Sequence, residues 1–227
     1  MMLSTNFYLV TGVYLILFGG TEVLKRLTQI PAAVTRKVMH VLAAVVACML
    51  PTWIPPAEIL ILSSLFIVVL SLSKILKVLS SIHDVPRKTW GEVIYPLGIL
   101  IATAYVYGIQ ATYIGGETYS HRFLNDEGFF FGMLVLGVLD VAAEWGGRIP
   151  SPKWPGMMHK SLAGTASFFL AGIALSLIYG LPFSGTLLLG LLLLALLEAY
   201  LAYGLDNLIL PIGGALLYYA CQGQPLY

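Results

Sequence analysis

The sequence predicts an all-α integral membrane protein, a single polytopic bundle of about seven or eight transmembrane helices over residues 1–227. Of the 227 residues, 59% are hydrophobic and only 10% are charged, whereas soluble domains carry about 25% charged residues. The apolar residues also form runs of the roughly 20 residues that a helix needs to cross a bilayer. This composition excludes a soluble or a disordered chain. The net charge of +1 argues against a nucleic-acid partner and leaves membrane lipids as the surroundings.

Eight apolar segments are expected along the chain, joined by short loops. Their approximate bounds are 7–24, 38–54, 58–73, 93–113, 128–145, 161–180, 184–203 and 206–221. No Lys or Arg precedes the first segment, which favours a retained helix over a cleaved signal peptide. The eighth segment contains Pro211, Gly213 and Gly214, so we expect it to be interrupted, as segments that line a site often are.

The distribution of Lys and Arg indicates how the segments are oriented. Every Lys and Arg except Arg122 falls in the first, third or fifth loop. By the positive-inside rule these loops are cytoplasmic and both chain termini lie outside. A site built from residues at this end of the segments is therefore expected on the cytoplasmic side.

Ionisable residues in or beside apolar segments are costly in a membrane, and they indicate a functional site. Here they gather at the predicted cytoplasmic ends of the segments in five short motifs. The motifs are Arg36-Lys37-x-x-His40, Gly91-Glu92-x-x-Tyr95-Pro96, Asp140-x-x-Ala143-Glu144-x-x-Gly147-Arg148, Lys160-Ser161-x-x-Gly164 and Asp206-Asn207-x-x-x-Pro211. Arg36 and His40 are four residues apart, as are Asp140 and Glu144, so the members of each pair share a helix face.

Each of these residues also has a purely structural interpretation. Arg36 and Lys37 could be snorkelling anchors, and His40 could be a packed core histidine. Glu92 could interact with the helix dipole in a first turn, and Glu198, near the end of the seventh segment, could pair with a lysine. As a group, however, carboxylates and cations at one face suit a nucleotide–Mg²⁺ complex, because carboxylates bind a divalent ion and Lys or Arg binds phosphate.

In these five motifs the sequence resembles the CTP-dependent polyprenol kinase family, which includes dolichol, phytol and farnesol kinases and the yeast-type diacylglycerol kinase. The shared pattern is R-K-x-x-H, G-E-x-x-Y-P, D-x-x-A-[D/E]-x-x-G-R, K-S-x-x-G-[S/T] and D-N-x-x-x-P, in the order found here. The resemblance implies an all-helical membrane fold related to the phosphatidate cytidylyltransferases. Two departures stand out: Ile149 and Pro150 follow Arg148 where members often have R-F-G, and Glu144 stands where many members carry Asp.

The resemblance implies a kinase that moves the terminal phosphoryl group of a nucleoside triphosphate, CTP, to an isoprenoid alcohol such as phytol, geranylgeraniol, farnesol or dolichol. The compact chain looks most like the phytol-type branch. The expected catalytic residues are Asp140, Glu144, Lys160 and His40. The expected Mg²⁺ ligands are Asp140 and Asp206. The expected nucleotide or phosphate ligands are Arg36, Lys37, Glu92, Arg148, Ser161, Gly164 and Asn207.

Two alternative functions are compatible with the same residues. A cytidylyltransferase, which joins CMP to a lipid phosphate, needs the same metal and phosphate chemistry. A small transporter would use the charges as a polar pathway, but a pathway needs charges near the midplane, and here they cluster at one face. In either enzyme, the proline-rich loop between Arg148 and Lys160 is expected to close over the nucleotide.

Overall fold

The computed structural model describes residues 3–28, 30–83, 89–108, 126–156, 160–201 and 203–223. Over these ranges the chain is helical, and its one β-type contact is an isolated antiparallel bridge between Lys153 and Ser161. This confirms the all-helical fold class. The end of the fourth expected segment, from residue 109 on, and the loop with Arg122 lie outside the described residues.

The helices of the described ranges are named here in chain order. They are α1 (Thr5–Thr28), α2 (Ala32–Trp53), α3 (Pro56–Ile75), α4 (Ser80–His83), α5 (Gly91–Gly108), α6 (Glu127–Gly146), α7 (Leu162–Ile178), α8 (Gly185–Tyr200) and α9 (Asp206–Cys221). α5 ends in a π-helical turn, Ala104–Gly108, and α6 contains another, Val135–Leu139.

Five of these helices, α1, α2, α3, α5 and α6, are long and apolar enough to cross a membrane. α7 and α8 are apolar but shorter, with 17 and 16 residues. Their starts are set by serine caps, because the Ser161 and Ser184 side chains each accept a hydrogen bond from a backbone N–H of the first turn. The membrane-protein class is therefore supported, and the count of seven or eight spans stays a prediction.

α6 is the central helix of the bundle. Large side chains along it, among them Phe129, Phe131 and Leu136, have no exposed surface. Where α6 meets α9, glycines let the two backbones approach: a Cβ on Gly214 would lie 2.8 Å from the Cα of Gly132. Such small-residue contacts are typical of helix packing in membranes, where close van der Waals contact replaces the hydrophobic driving force.

The expected interruption of the eighth segment is wrong, because α9 runs without a break through Pro211, Gly213 and Gly214. A proline removes the helical hydrogen bond to the carbonyl four residues earlier, here that of Asn207. This carbonyl lies against Gly98 of α5, so closely that a Cβ on Gly98 would overlap its oxygen. The proline is therefore tolerated within a tightly packed helix pair.

Candidate active site

One large cavity, which we name the charged cavity, lies where the ends of five helices meet. Its volume is about 480 Å³, within the range of roughly 300–1,000 Å³ that is usual for ligand sites. It is lined by four cationic side chains and four carboxylates. The cations are Arg36, Lys37, Arg148 and Lys160, and the carboxylates are Asp140, Glu144, Glu198 and Asp206.

Eleven of the twelve expected site residues line this cavity. α2 contributes Arg36, Lys37 and His40; α6 and the turn after it contribute Asp140, Glu144 and Arg148; the start of α7 contributes Lys160, Ser161 and Gly164; and α9 contributes Asp206 and Asn207. The twelfth residue, Glu92, does not line it. Residues as far apart in sequence as Arg36 and Asn207 are thus brought to one place.

The π-helical turn of α6 ends directly before Asp140. A π-turn widens the helix by one residue and so changes which face the following residues present; such turns are frequent at functional sites. Asp140 and Glu144 follow it on one face, and both line the charged cavity. The turn thereby joins the largely buried stretch of α6 up to Leu139 to the end that carries Asp140 and Glu144.

The charges of the cavity are arranged in pairs. Lys37 forms an ion pair with Glu144, and the Arg148 guanidinium lies 3.6 Å from the same carboxylate. Lys160 forms an ion pair with Glu198, whose side chain is only 4% exposed. Buried carboxylates of this kind require a cationic partner, because transfer of a lone charge out of water is very costly.

His40 lies beside Asp140, one of the two aspartates that line the charged cavity. Its Nε2 atom is 3.7 Å from Asp140 Oδ2, too far for a hydrogen bond. This nitrogen is buried and has no hydrogen-bond partner among the described residues. Asp206 is close enough to Asp140, Lys160 and His40 for their charges to act on it. The two aspartates therefore repel one another unless a cation lies between them.

A compact backbone arrangement holds the start of α7 against the end of α6. A Cβ on Gly164 would lie 2.7 Å from the Ala143 carbonyl oxygen and 3.4 Å from the Gly147 Cα. The Gly164 N–H donates to the Ser161 hydroxyl oxygen at 3.2 Å. Gly164 thus acts as a close-packing residue here, while the Ser161 hydroxyl keeps its own proton for donation into the cavity.

The loop between Arg148 and Lys160 is anchored at its base. The Trp154 N–H donates to the Lys160 carbonyl at 3.1 Å, and the Leu162 N–H donates to that of Pro152 at 3.0 Å. The Trp154 indole N–H also donates to the Thr165 hydroxyl at 2.8 Å. Residues 157–159 at the far end of the loop lie outside the described residues, so its closure over a nucleotide stays a prediction.

Asn207 ties the start of α9 to the start of α5. Its side-chain amide donates to the Gly91 carbonyl at 2.8 Å. Gly204 precedes it with φ +91°, and a Cβ on Gly204 would overlap the Gly91 backbone. Position 204 therefore requires glycine, both for its left-handed conformation and because its backbone lies so close to that of Gly91.

Glu92 takes part in a different polar network. It forms an ion pair with Lys74 and lies 3.1 Å from Nδ1 of His83, whose Nε2 is 2.8 Å from the Ser73 hydroxyl. Lys74 in turn stands 4.6 Å above the Trp90 ring. Glu92 thus connects α3, α4 and α5 from the first turn of α5, in line with its structural interpretation.

A second, smaller cavity lies beside the charged cavity, between α1, α2, α3 and α5. Its volume is about 80 Å³, and we name it the apolar cavity. Arg36, His40 and Asn207 line both cavities. The deeper walls of the apolar cavity are formed mainly by hydrocarbon and aromatic side chains, namely Tyr14, Phe18, Met39, Ala43, Leu50, Leu62, Phe66 and Ile99.

Two carboxylates of the charged cavity match part of what a magnesium site needs. No group of three or more His, Cys, Asp or Glu side chains in the described ranges is arranged to hold a metal by itself. Mg²⁺, however, is commonly bound by one or two carboxylates together with substrate phosphates and water. Asp140 and Asp206, two neighbouring acidic side chains that line one cavity, fit that donor set.

Six lining residues were not among the expected site residues: Val141, Ala143, Gly147, Thr165, Glu198 and Gly204. Thr165 occupies the last position of the K-S-x-x-G-[S/T] motif, so the sequence carried a signal for it. Glu198 was recognisable as a carboxylate inside an apolar segment. Gly204 had no motif to mark it, since its role depends on a backbone contact with Gly91.

The bundle and its charged cavity together define a polytopic membrane protein with a polar site at the helix ends. The chain is similar to a phytol kinase from Synechocystis sp., with 26% identity over 216 residues that cover 88% of this chain and 84% of the relative. This similarity supports a polyprenol or phytol kinase-like family and confirms the resemblance found in the motifs. No family model matches the chain, and no solved structure matches it significantly.

Proposed function

We propose that the protein is a lipid-alcohol kinase that transfers the terminal phosphoryl group of CTP to an isoprenoid alcohol of the phytol, geranylgeraniol, farnesol or dolichol type. The observation that carries the proposal is the charged cavity, which collects eleven of the twelve expected site residues at the ends of membrane helices. The similarity to a phytol kinase supports the reaction class, and the choice of CTP rests on the resemblance in the motifs. The site faces the cytoplasm by the positive-inside rule.

The balance of charge in the cavity favours a metal–nucleotide complex as the ligand. Its four cations are matched by four carboxylates, so a bare triphosphate would meet as much repulsion as attraction. Phosphoryl transfer depends on charge neutralisation and positioning more than on covalent help from the protein. Bound at Asp140 and Asp206, Mg²⁺ would supply that neutralisation and polarise the transferring phosphoryl group.

The cations of the cavity have distinct roles in this proposal. Lys160 directly precedes the N-terminus of α7, where free backbone N–H groups also attract anions. Its compact charge contacts the transferring phosphate. Arg148 presents a planar fork that can bind two phosphate oxygens at once. Arg36 and Lys37, from the start of α2, complete the clamp, and Lys37 is paired with Glu144, the carboxylate that Arg148 also approaches.

The acceptor hydroxyl is placed at His40 in this proposal. His40 lines both cavities and carries a buried nitrogen without a hydrogen-bond partner in the described part of the chain. It can accept a hydrogen bond from an alcohol that enters from the apolar side, and Asp140 stabilises the charge that follows proton transfer. Glu144, which is held by Lys37 and Arg148, positions these two phosphate-binding side chains.

Purified protein with labelled CTP tests the proposal. Protein in detergent receives CTP labelled at the γ or the α phosphate, together with phytol, geranylgeraniol, farnesol, undecaprenol or diacylglycerol. Transfer from the γ position to an alcohol is expected, and it requires Mg²⁺. Transfer from the α position to a lipid phosphate would instead establish a cytidylyltransferase, and no transfer to any lipid would favour a transporter. ATP and UTP in parallel reactions define the donor.

A further inference from the structure

The apolar cavity is not used by the nucleotide chemistry, yet it shares three lining residues with the charged cavity. The shared end is formed by Arg36, His40 and Asn207. From there the cavity follows one face of α2, because Met39, Ala43 and Leu50 recur at helical spacing on its wall. A ligand that lies in both cavities would have a polar head at His40 and an apolar body along α2.

We infer that the apolar cavity binds the hydrocarbon chain of the acceptor alcohol and accommodates about three of its isoprene units. The inference rests on the proposed kinase function and deepens it, since it assigns the acceptor to named helices. The apolar cavity has a smaller volume than its neighbour, about 80 Å³ against 480 Å³. Away from the end that it shares with the charged cavity, most of its wall is hydrocarbon or aromatic, which favours an apolar occupant over a sugar or a phosphate.

The depth of the apolar cavity sets the length of chain that it holds. Among the lining residues of α2, Leu50 is the farthest from His40; it comes ten residues later, which corresponds to ~15 Å along the helix axis. An extended hydrocarbon chain advances ~1.3 Å per C–C bond of ~1.5 Å length. The cavity therefore holds ~12 chain carbons, or three isoprene units. A fourth unit reaches past Leu50 and lies outside the cavity.

Three polar atoms of residues that line this cavity support an occupant with a hydroxyl group. Nε2 of His40, Oε2 of Glu92 and the hydroxyl oxygen of Tyr95 are all buried and have no hydrogen-bond partner among the described residues. The two rings pack edge to face with centroids 5.2 Å apart, and both line the apolar cavity. Buried polar groups nearly always have partners. A chain with one terminal hydroxyl brings such a partner while its remaining surface stays apolar.

The test is a chain-length profile in three proteins. The acceptors are prenol, geraniol, farnesol and geranylgeraniol, which have one to four isoprene units, in one detergent. Ala43, three residues after His40, lines the cavity, so Ala43→Phe shortens it to ~4.5 Å, about one unit. Val45 lies on the same helix but is 58% exposed, so Val45→Phe is the matched control. Ser63→Leu, from the facing wall on α3, replaces Ala43→Phe if that variant fails size-exclusion chromatography.

For the wild type, kcat/KM should rise ~threefold or more with each unit up to farnesol, because each unit adds packing contacts. It should then stay within about twofold for geranylgeraniol. Ala43→Phe should abolish the rise beyond prenol and leave the KM for CTP within about twofold, while Val45→Phe should keep the wild-type profile.

A wild-type profile in Ala43→Phe, or a wild-type rise that continues to geranylgeraniol, overturns the inference alone. Wild-type protein that transfers γ-phosphate to no alcohol overturns the proposed function as well, and this is seen before any variant is compared.

Discussion

The pair formed by Lys160 and Glu198 allows a catalytic role to be separated from a structural one. Glu198 is 4% exposed and Lys160 is 25% exposed at the side chain. The substitution Lys160→Ala leaves a carboxylate buried without its cation, which costs about 3–5 kcal/mol for a fully buried pair. Because Lys160 keeps some contact with solvent, about 3 kcal/mol, the lower end of that range, is expected. Loss of activity in this variant alone would therefore prove little.

The double variant Lys160→Ala/Glu198→Gln removes both charges and should recover most of that stability, since no lone buried charge remains. Phosphoryl transfer should not recover, because the proposed contact with the transferring phosphate is still missing. We expect kcat to fall ~10²-fold or more in both variants, with a smaller change in the KM for CTP. Glu198→Gln alone keeps Lys160 and is the matched control, which should retain most of kcat.

The assay combines thermal unfolding in detergent with steady-state kinetics on protein checked by size-exclusion chromatography. The reasoning is refuted if the double variant regains a kcat close to that of the wild type. In that case the role of Lys160 would be to neutralise Glu198, and the phosphate would be held by other cations of the charged cavity.

Three further predictions concern the metal, the backbone and the orientation. Asp140→Asn should lower kcat ~10²-fold or more without loss of folded protein, because a metal ligand is weakened; activity and Mg²⁺ dependence equal to the wild type would reject Asp140 as a ligand. Gly204→Ala should lower the unfolding temperature by several degrees, since φ is +91° and a Cβ overlaps Gly91; an unchanged melting curve would contradict the required glycine. A membrane-impermeant reagent should label Lys77→Cys from the cytoplasmic side only and Ser4→Cys, near the N-terminus, from the outside. Labelling of Lys77→Cys from the outside would contradict the predicted orientation.

The residues of the charged cavity could be recognised from sequence because ionisable side chains are rare in apolar segments. Asp140, Lys160 and Asp206 each stand out against hydrophobic neighbours, and their short motifs fix which faces they share. The alignment of segment ends on one side of the bundle follows from the short connections between them. Composition and local spacing were therefore enough to predict most of the cavity lining.

What the sequence did not predict depends on contacts between distant helices. The sequence motif of Glu92 predicts a place in the charged cavity, but Glu92 instead pairs with Lys74 and His83, outside that cavity. Pro211 reads as a helix breaker, yet its freed backbone carbonyl packs against Gly98 and the helix continues. The apolar cavity has no sequence signal at all, because a residue such as Leu50 looks the same whether it lines a cavity or faces lipid.

In the proposed kinase, the ion pairs within the charged cavity would select against small anions such as free phosphate. Lys37 and Lys160 are each occupied by a carboxylate, so a phosphate must displace an internal partner before it can bind. Free orthophosphate brings no cation to satisfy the carboxylate that it displaces. A magnesium–nucleotide complex brings both signs at once and can exchange with both members of each pair. In the proposed kinase, the internal carboxylates would therefore hold Lys37 and Lys160 until a metal–nucleotide complex replaces them.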